Sequence, residues 1–506
     1  MKSLTEADFE QFKKSNRSVE LIQRQYEFLV HGTSLQKEIK AATLGDGIQK
    51  LNPETETAAL ENFHKQKERI SWIKFVPASG AASRMFAPFF TFQQAKEIPN
   101  FDFEGYCNSE EGSSIKTFFN ELKRLPFFFS AYAKIVQDSS ISIDTDIDFF
   151  TTFVSTVLDE KVLAYPNLPK ALIPFFVDEQ GIQWTAFEAH LLESIQLGDK
   201  HQATPIHLTI DKEYRSLFET AEANFRTKLT PEQSEISVEY SYQHPLTDTP
   251  YLNENNEWMR DEEGKIAFRK GGHGALLENL NRLDADLIWI KNIDNVLLNQ
   301  DNAEGEKWMK ILAGHLLMIQ EQTFMYLAKL ETLKSKANFN EIITFIQTYF
   351  DSSYQLDDSG KMLNEILYDY LHRPLRICGM IPNEGAKGGG PFWEKDARGK
   401  SLQIIEGVEL DPENKDHQKE INKSSHFNPV MMVCGITSHK GEKFSLYDFR
   451  DDKRFMVSGK TLGASKIKIL EWPGLWNGGM AAWNTLFIDL PSDTFHPVKT
   501  IADLIR

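Results

Sequence analysis

The stretch "IKFVPASGAASRMF", Ile73 to Phe86, decides how the rest of the chain is read. Ile73–Val76 is a short apolar run, as a strand covered on both faces requires. Small residues follow from Ala78 to Ser83, and then Arg84 and Met85 on what reads as the start of a helix. A turn of small residues between strand and helix lets backbone N–H groups approach phosphate oxygens, and a helix N-terminus adds positive potential. Arg84 adds a charge-assisted fork to the same oxygens. The plain alternative is a tight connection carrying a surface arginine, because short glycine motifs are weak signals. Neither G-x-x-x-x-G-K-[ST] nor G-x-G-x-x-G is present.

Outward from this stretch, strand and helix alternate from 72 to 295. Strands are expected at about 72–78, in "PIHLTI" (205–210), in "ISVEYSY" (236–242) and in "DLIWIKNID" (286–294). The helix "TAFEAHLLESI" opens with Thr185 and Glu188 spaced as a capping box. This alternation predicts a layered α/β unit with a mainly parallel sheet. In the order 3-2-1-4 the first and fourth strands are neighbours, and ligands bind beyond the strand ends at such a switch point. That arrangement would bring the Gly80 turn and Asp294 together. Residues 1–70 read as a polar helical segment and 91–165 as a helical insertion. The core spans 71–370, and 371–506 is its strand- and glycine-rich continuation.

At 506 residues the chain is too long for one simple core, and 41% hydrophobic residues, 36 of them Phe, exclude global disorder. A formal charge of −17 argues against nucleic acid and anionic membrane as partners. An anionic small substrate then needs local help from Arg, Lys or a metal ion. The three cysteines form no C-x-x-C pair, so neither a disulfide framework nor a thiolate zinc site is expected. The opening "MKSLTEADFEQF" has no apolar signal region, and the most apolar helix is interrupted by Lys, His, Gln and Glu. A cytoplasmic protein is the expectation.

"PASGAASRMF" resembles the opening signature of sugar nucleotidyltransferases (pyrophosphorylases), usually G-G-x-G-T-R-L or A-A-G-x-S-x-R-M. Gly80, Ser83, Arg84 and Met85 fall on matching positions, and Ser79 and Ala82 replace glycines. "KALIPF" is similar to the family's K-x-L-x-P segment, whose lysine contacts the phosphate of the bound sugar; here that residue is Lys170. "RKGGHGA" resembles the P-G-G-H-G loop of UDP-sugar pyrophosphorylases, with Gly271, Gly272, His273 and Gly274 matching. Gln243, in "SYQHP", stands where the family often reads the uracil edge. "IWIKNIDN" ends with Asp294-Asn295 where the family has an acidic pair that holds Mg²⁺. In "GLWNGGMAAWNT", Asn477 and Asn484 are similar to residues near the sugar site. "RICGMIPNEGAKGGGPFW" and "PGLWNGGMAAWNT" also resemble a family of full-length proteins known as a domain of unknown function.

The resemblance implies a nucleotide-diphospho-sugar transferase-like (Rossmann-like) mixed sheet. It also implies transfer of a nucleotidyl group from an NTP, UTP in the first instance, to a sugar 1-phosphate, with release of pyrophosphate. In that scheme Arg84 and Lys170 are catalytic. Ser79, Gly80, Ala81, Ser83, Gln243, Gly271, Gly272, His273, Asn477 and Asn484 bind substrate, and Asp294 holds Mg²⁺. Each position also has a plainer reading: a solvated lysine at 170, a capping or core histidine at 273, a turn aspartate at 294, a polar strand-end residue at 243, and core packing for Trp476 and Trp483. Three rival functions stay open: an inactive nucleotide-binding relative, a glycosyltransferase on a similar sheet, and a structural protein.

Overall fold

The computed structural model describes residues 4–33, 38–138, 143–198, 203–230, 235–298, 302–332, 339–355, 363–385, 388–396, 399–462 and 465–505. Internal contacts divide the chain into two units that interleave along the sequence. Unit 1 comprises Met1–Phe75, Ser241–Lys291 and Lys307–Thr494; unit 2 comprises Val76–Tyr240, Asn292–Glu306 and Phe495–Arg506. The division therefore does not run through the consecutive stretches 1–70, 71–370 and 371–506, because strands from all three pair within unit 1.

The strands that matter here are, in chain order, β1 (Thr43–Leu44), β2 (Gly47–Gln49), β3 (Trp72–Pro77), β4 (Ile206–Thr209), β5 (Val238–Ser241), β6 (Leu287–Lys291), β7 (Leu375–Pro382), β8 (Met431–Gly435) and β9 (Asn484–Asp489). Within unit 1 they run β1-β2-β9-β7-β8-β6-β3. The sheet is mixed. β6 lies parallel to β3 and β7 parallel to β9, whereas β8 is antiparallel to both β6 and β7. All five residues of β6 are buried, and Ile288 and Ile290 stand opposite Ile73 and Phe75. A strand covered on both faces is apolar along most of its length, as "LIWIK" and "WIKFVP" are apart from the buried Lys291 and Lys74. Trp72 stacks on Trp289 with ring centroids 4.8 Å apart.

The helices expected in 1–70 are present at Glu6–Lys14, Val19–His31 and Pro53–Gln66. Between them the chain is extended instead: Glu38–Ala41 pairs antiparallel with Phe392–Lys395, and Ile48 of β2 stands opposite Phe487 of β9. These segments are too short for a period of two to show, and their partners lie far along the chain.

In unit 2, β4 pairs with β5, and the Ala78 N–H donates to the Thr209 carbonyl at 2.9 Å. Helices α1 (Ala87–Lys96), α2 (Phe128–Gln137), α3 (Asp146–Leu158) and α4 (Ala186–Leu197) contribute to a core rich in phenylalanine. Phe86, Phe89, Phe118, Phe127, Phe150 and Phe153 are fully buried there. Some of their rings meet edge to face, as Phe89 and Phe118 do at 5.3 Å and 78°, and Phe127 stacks on Phe153. Both α3 and α4 open with capping boxes, Thr145 with Asp148 and Thr185 with Glu188. The acidic run "DTDID" is thereby a helix start.

The expected helix at Ser83–Met85 is a correction. Residues 82–86 form i→i+3 turns, Met85 N–H to Ala82 and Phe86 N–H to Ser83, and α1 begins only at Ala87. The reason is an antiparallel bridge between Ala81 and Pro169. It holds the loop extended through the Ala82 N–H on the Leu168 carbonyl and the Lys170 N–H on the Gly80 carbonyl.

Among the described residues no helix is long and apolar enough to cross a membrane. Cys107, Cys378 and Cys434 are free thiols and buried.

Candidate functional site

Unit 2 gathers four of the segments around Asp294. Lys170 is tied to the opening loop through Gly80, and its Nζ lies 2.9 Å from Asp294 Oδ2. Lys499 Nζ reaches the same oxygen, also at 2.9 Å. The segment carrying Lys499 is pinned by the backbone: Val498 N–H donates to the Asp294 carbonyl, and Ile501 N–H to the Met85 carbonyl. Burial alone would raise the Asp294 carboxyl, but the two ammonium groups outweigh it and hold it below the ordinary carboxylate range. Burial draws the Lys170 ammonium below the usual lysine value, and Asp294 opposes the shift. Two cations share Asp294 Oδ2 here, and the Asp503 carboxylate, which accepts the Lys499 and Thr500 N–H groups, also acts on Lys170.

The loop itself is open to a ligand. Among the described residues, the N–H groups of Gly80, Ala81, Ser83 and Arg84 donate to no backbone carbonyl. Gly80, Ala81, Ser83 and Arg84 are exposed, and Ser79 is half-buried. A row of undirected amides beside lysines is an anion-binding arrangement. Asp294 Oδ1 is buried with no hydrogen-bond donor. A buried carboxylate oxygen without a donor fits one further cation, and Mg²⁺ needs only one or two carboxylates when phosphates and water fill its octahedron. No group of three or more His, Cys, Asp or Glu suited to a metal occurs among the described residues.

The remaining predicted residues belong to unit 1. Gly271, Gly272 and His273 lie against the segment after Ser465–Glu471: the Trp472 N–H donates to the Gly271 carbonyl, and His273 Nδ1 accepts from the Leu475 N–H at 3.2 Å. Gly272 has φ +74°, the left-handed conformation that favours glycine. The His273 ring stacks on Trp476 at 4.3 Å. Because Nδ1 accepts, Nε2 carries the proton, and it faces Glu406 Oε1 at 3.8 Å. Gln243 donates to Asp248 at 2.9 Å. Asn477 and Asn484 are buried and donate to the carbonyls of Ile404 and Tyr370. Asn484 borders a space of about 20 Å³, the size of one water molecule. Lys387, in the glycine-rich 380–393 stretch, lies outside the described residues.

Two charged residues escaped the sequence reading. Lys499 follows "HPV" with no local mark, and its partner lies 205 positions away. Glu406 ends the apolar "LQII" and looks like an ordinary strand terminus. Burial, then Glu409 and Glu471, push the Glu406 carboxyl up to about 7, while burial takes His273 down to about 4. Both shifts favour a neutral pair over an ion pair, which agrees with the 3.8 Å gap.

A raised folded value means that the proton on Glu406 stabilises the fold below the unfolded value of 4.5, and that this contribution is lost as pH rises through about 7. Glu406→Gln should flatten the stability curve between those values and be more stable than the parent above pH 7, by at most about 3 kcal/mol. Urea titrations at pH 5 and pH 8 measure it; parallel curves for parent and variant would refute the assignment.

Comparison of the whole sequence with known families matches residues 5–506 to one of them. The chain belongs to the DUF4301 family, described as a domain of unknown function. No curated protein matches this DUF4301 chain. Solved structures similar to it include UDP-glucose pyrophosphorylase of Leishmania major in complex with UDP-glucose, at 13% identity and TM-score 0.43 over 99% of this chain and 79% of that one. Another is UDP-glucose phosphorylase of Trypanosoma brucei, at 12% identity and TM-score 0.43 over 98% and 77%. A third, from Entamoeba histolytica, is assigned as a UDP-N-acetylglucosamine pyrophosphorylase, with 10% identity and TM-score 0.45 over 92% and 83%.

Proposed function

We propose that this chain is a nucleotidyltransferase that moves a nucleotidyl group from an NTP, with UTP the first to test, onto a sugar 1-phosphate. An oxygen of the sugar phosphate attacks the α-phosphorus, the bond to the β-phosphate oxygen breaks, and pyrophosphate leaves. The attacking oxygen is already ionised at neutral pH, so alignment and charge neutralisation carry the reaction. The observation that supports this most is the meeting of the loop that carries the open amides of Gly80, Ala81, Ser83 and Arg84 with Lys170, Asp294 and Lys499 in unit 2. In this reading the amides and Arg84 hold the leaving pyrophosphate, and Lys170 with Lys499 steadies the sugar phosphate. Asp294 would hold Mg²⁺ through Oδ1, and the metal would neutralise phosphate charge. The base-reading role of Gln243 and the 271–273 loop, the sugar-binding role of Asn477 and Asn484, and a cytoplasmic location belong to the same reading.

So does the strand order 3-2-1-4, counted over β3, β4, β5 and β6. The parallel β3–β6 register and the Ala78 bond to Thr209 support it. One observation favours a second reading, a nucleotide or nucleotide-sugar binder without turnover: Asp294 Oδ2 is already neutralised by two lysines.

The test is pyrophosphate release from UTP and a panel of sugar 1-phosphates with Mg²⁺, alongside thermal shifts with the same nucleotides. Transfer predicts release, and Arg84→Ala should raise the KM for UTP about tenfold with little change in melting, since Arg84 is exposed. A nucleotide-dependent shift without release selects the second reading. No shift with any nucleotide would refute both.

A further inference from the structure

We propose that the outer face of α2 is a self-association surface, on which a second copy of this chain lays its own α2 antiparallel about a twofold axis. An α-helix at a protein surface normally keeps one polar face. α2 does not. Its inner stripe, Phe128, Ala131 and Ile135, is buried in the core of unit 2. Its outer stripe is apolar as well: Phe129 is 65% exposed, Tyr132 45% and Val136 64%, with Ala133 exposed between them. Ile147, 42% exposed at the start of α3, widens the patch.

The spacing names the occupant. Positions 129, 132, 133 and 136 are separated by three, one and three residues, a pattern that reads the same in both directions. Two identical helices run antiparallel about a twofold axis between 132 and 133 therefore set Phe129 of each copy against Val136 of the other. A C2 contact is self-complementary by construction, and this stripe meets that condition. Charge agrees with the antiparallel sense. The exposed Lys123 and Arg124 precede α2, Arg124 being paired with Glu121 at 3.4 Å so that this end keeps one surplus positive charge, and the exposed Asp144 and Asp146 follow it. Antiparallel docking puts the basic end of one copy beside the acidic end of the other; parallel docking would oppose like charges. The exposed apolar area is on the order of 500 Å², against about 800 Å² per partner in a standard interface, so the association is concentration-dependent and not obligate.

Sedimentation velocity of the full chain, from sub-micromolar to about 100 µM, tests it. A monomer–dimer equilibrium is expected. Phe129→Lys and Val136→Glu should each raise the dissociation constant at least about tenfold, because each change occurs twice per dimer. Melting should not change, since both side chains are exposed. An equimolar mixture of the two variants should regain dimer, because the introduced charges are opposite and face each other. A chain that stays monomeric throughout, a dimer indifferent to both substitutions, or a mixture no more associated than either variant alone would overturn the proposal.

Discussion

Asp294→Asn is expected to cut pyrophosphate release at least about a hundredfold while tightening the metal-free binding of inorganic pyrophosphate about tenfold. The two effects have one cause. The carboxylate now cancels one of two ammonium groups, each 2.9 Å from Oδ2. Asparagine keeps the shape and removes the charge, so a polyanion meets both lysines with only Asp503 left to offset them, and Mg²⁺ loses the carboxylate that would hold it. The fold should suffer too. Lys170 and Asp294 have side chains only 13% exposed, and breaking such a pair costs about 3–5 kcal/mol because a buried charge is left alone. That deficit should shrink as pH rises, since a Lys170 already drawn below the ordinary lysine value can deprotonate. Calorimetric titration with pyrophosphate in EDTA and a release assay with Mg²⁺ read the two effects separately. Normal turnover in the variant would remove Asp294 from the mechanism.

Gly274→Ala should destabilise unit 1 by about 3 kcal/mol or more. A Cβ there would stand 2.2 Å from the Pro473 carbonyl oxygen and 2.6 Å from that of Trp472. Both obstacles are backbone, one belongs to a proline with a fixed φ, and the Trp472 N–H is anchored on Gly271. Gly80→Ala is the contrast, because a Cβ at Gly80 would meet nothing within 4 Å. That variant should melt as the parent does, so any loss of nucleotide affinity reports on the ligand. Equal melting of Gly274→Ala and parent would show that the loop does not pack as described.

What the sequence made legible follows from distance along the chain. β3 and β6 were visible because burial on both faces makes them apolar but for Lys74 and Lys291. The capping box at Thr185 was visible because all its parts lie within four residues. The start of α1 was misread, because the bridge from Ala81 to Pro169 overrides the local preference for helix. The strands at 38–49 were missed for the same reason: their pairing partners lie near 392 and 487. Within the candidate site, Asp294 and Lys170 could be named from motifs, but Lys499 could not. Asn477 and Asn484 were named from their resemblance to residues near a sugar site, and each has an amide donating to a main-chain carbonyl.

The 205 positions between Asp294 and Lys499 have a temporal side. At a synthesis rate of about 5–20 residues per second, a ribosome needs roughly 10–40 s to deliver Lys499 after Asp294 has emerged. Throughout that interval the nascent aspartate has Lys170 as its only cationic neighbour from this pair, and Val498, Ile501 and Leu504 are missing from the phenylalanine core. A stalled ribosome, or a message cut short before codon 498, thus yields a product whose apolar interior stays open to chaperones and proteases.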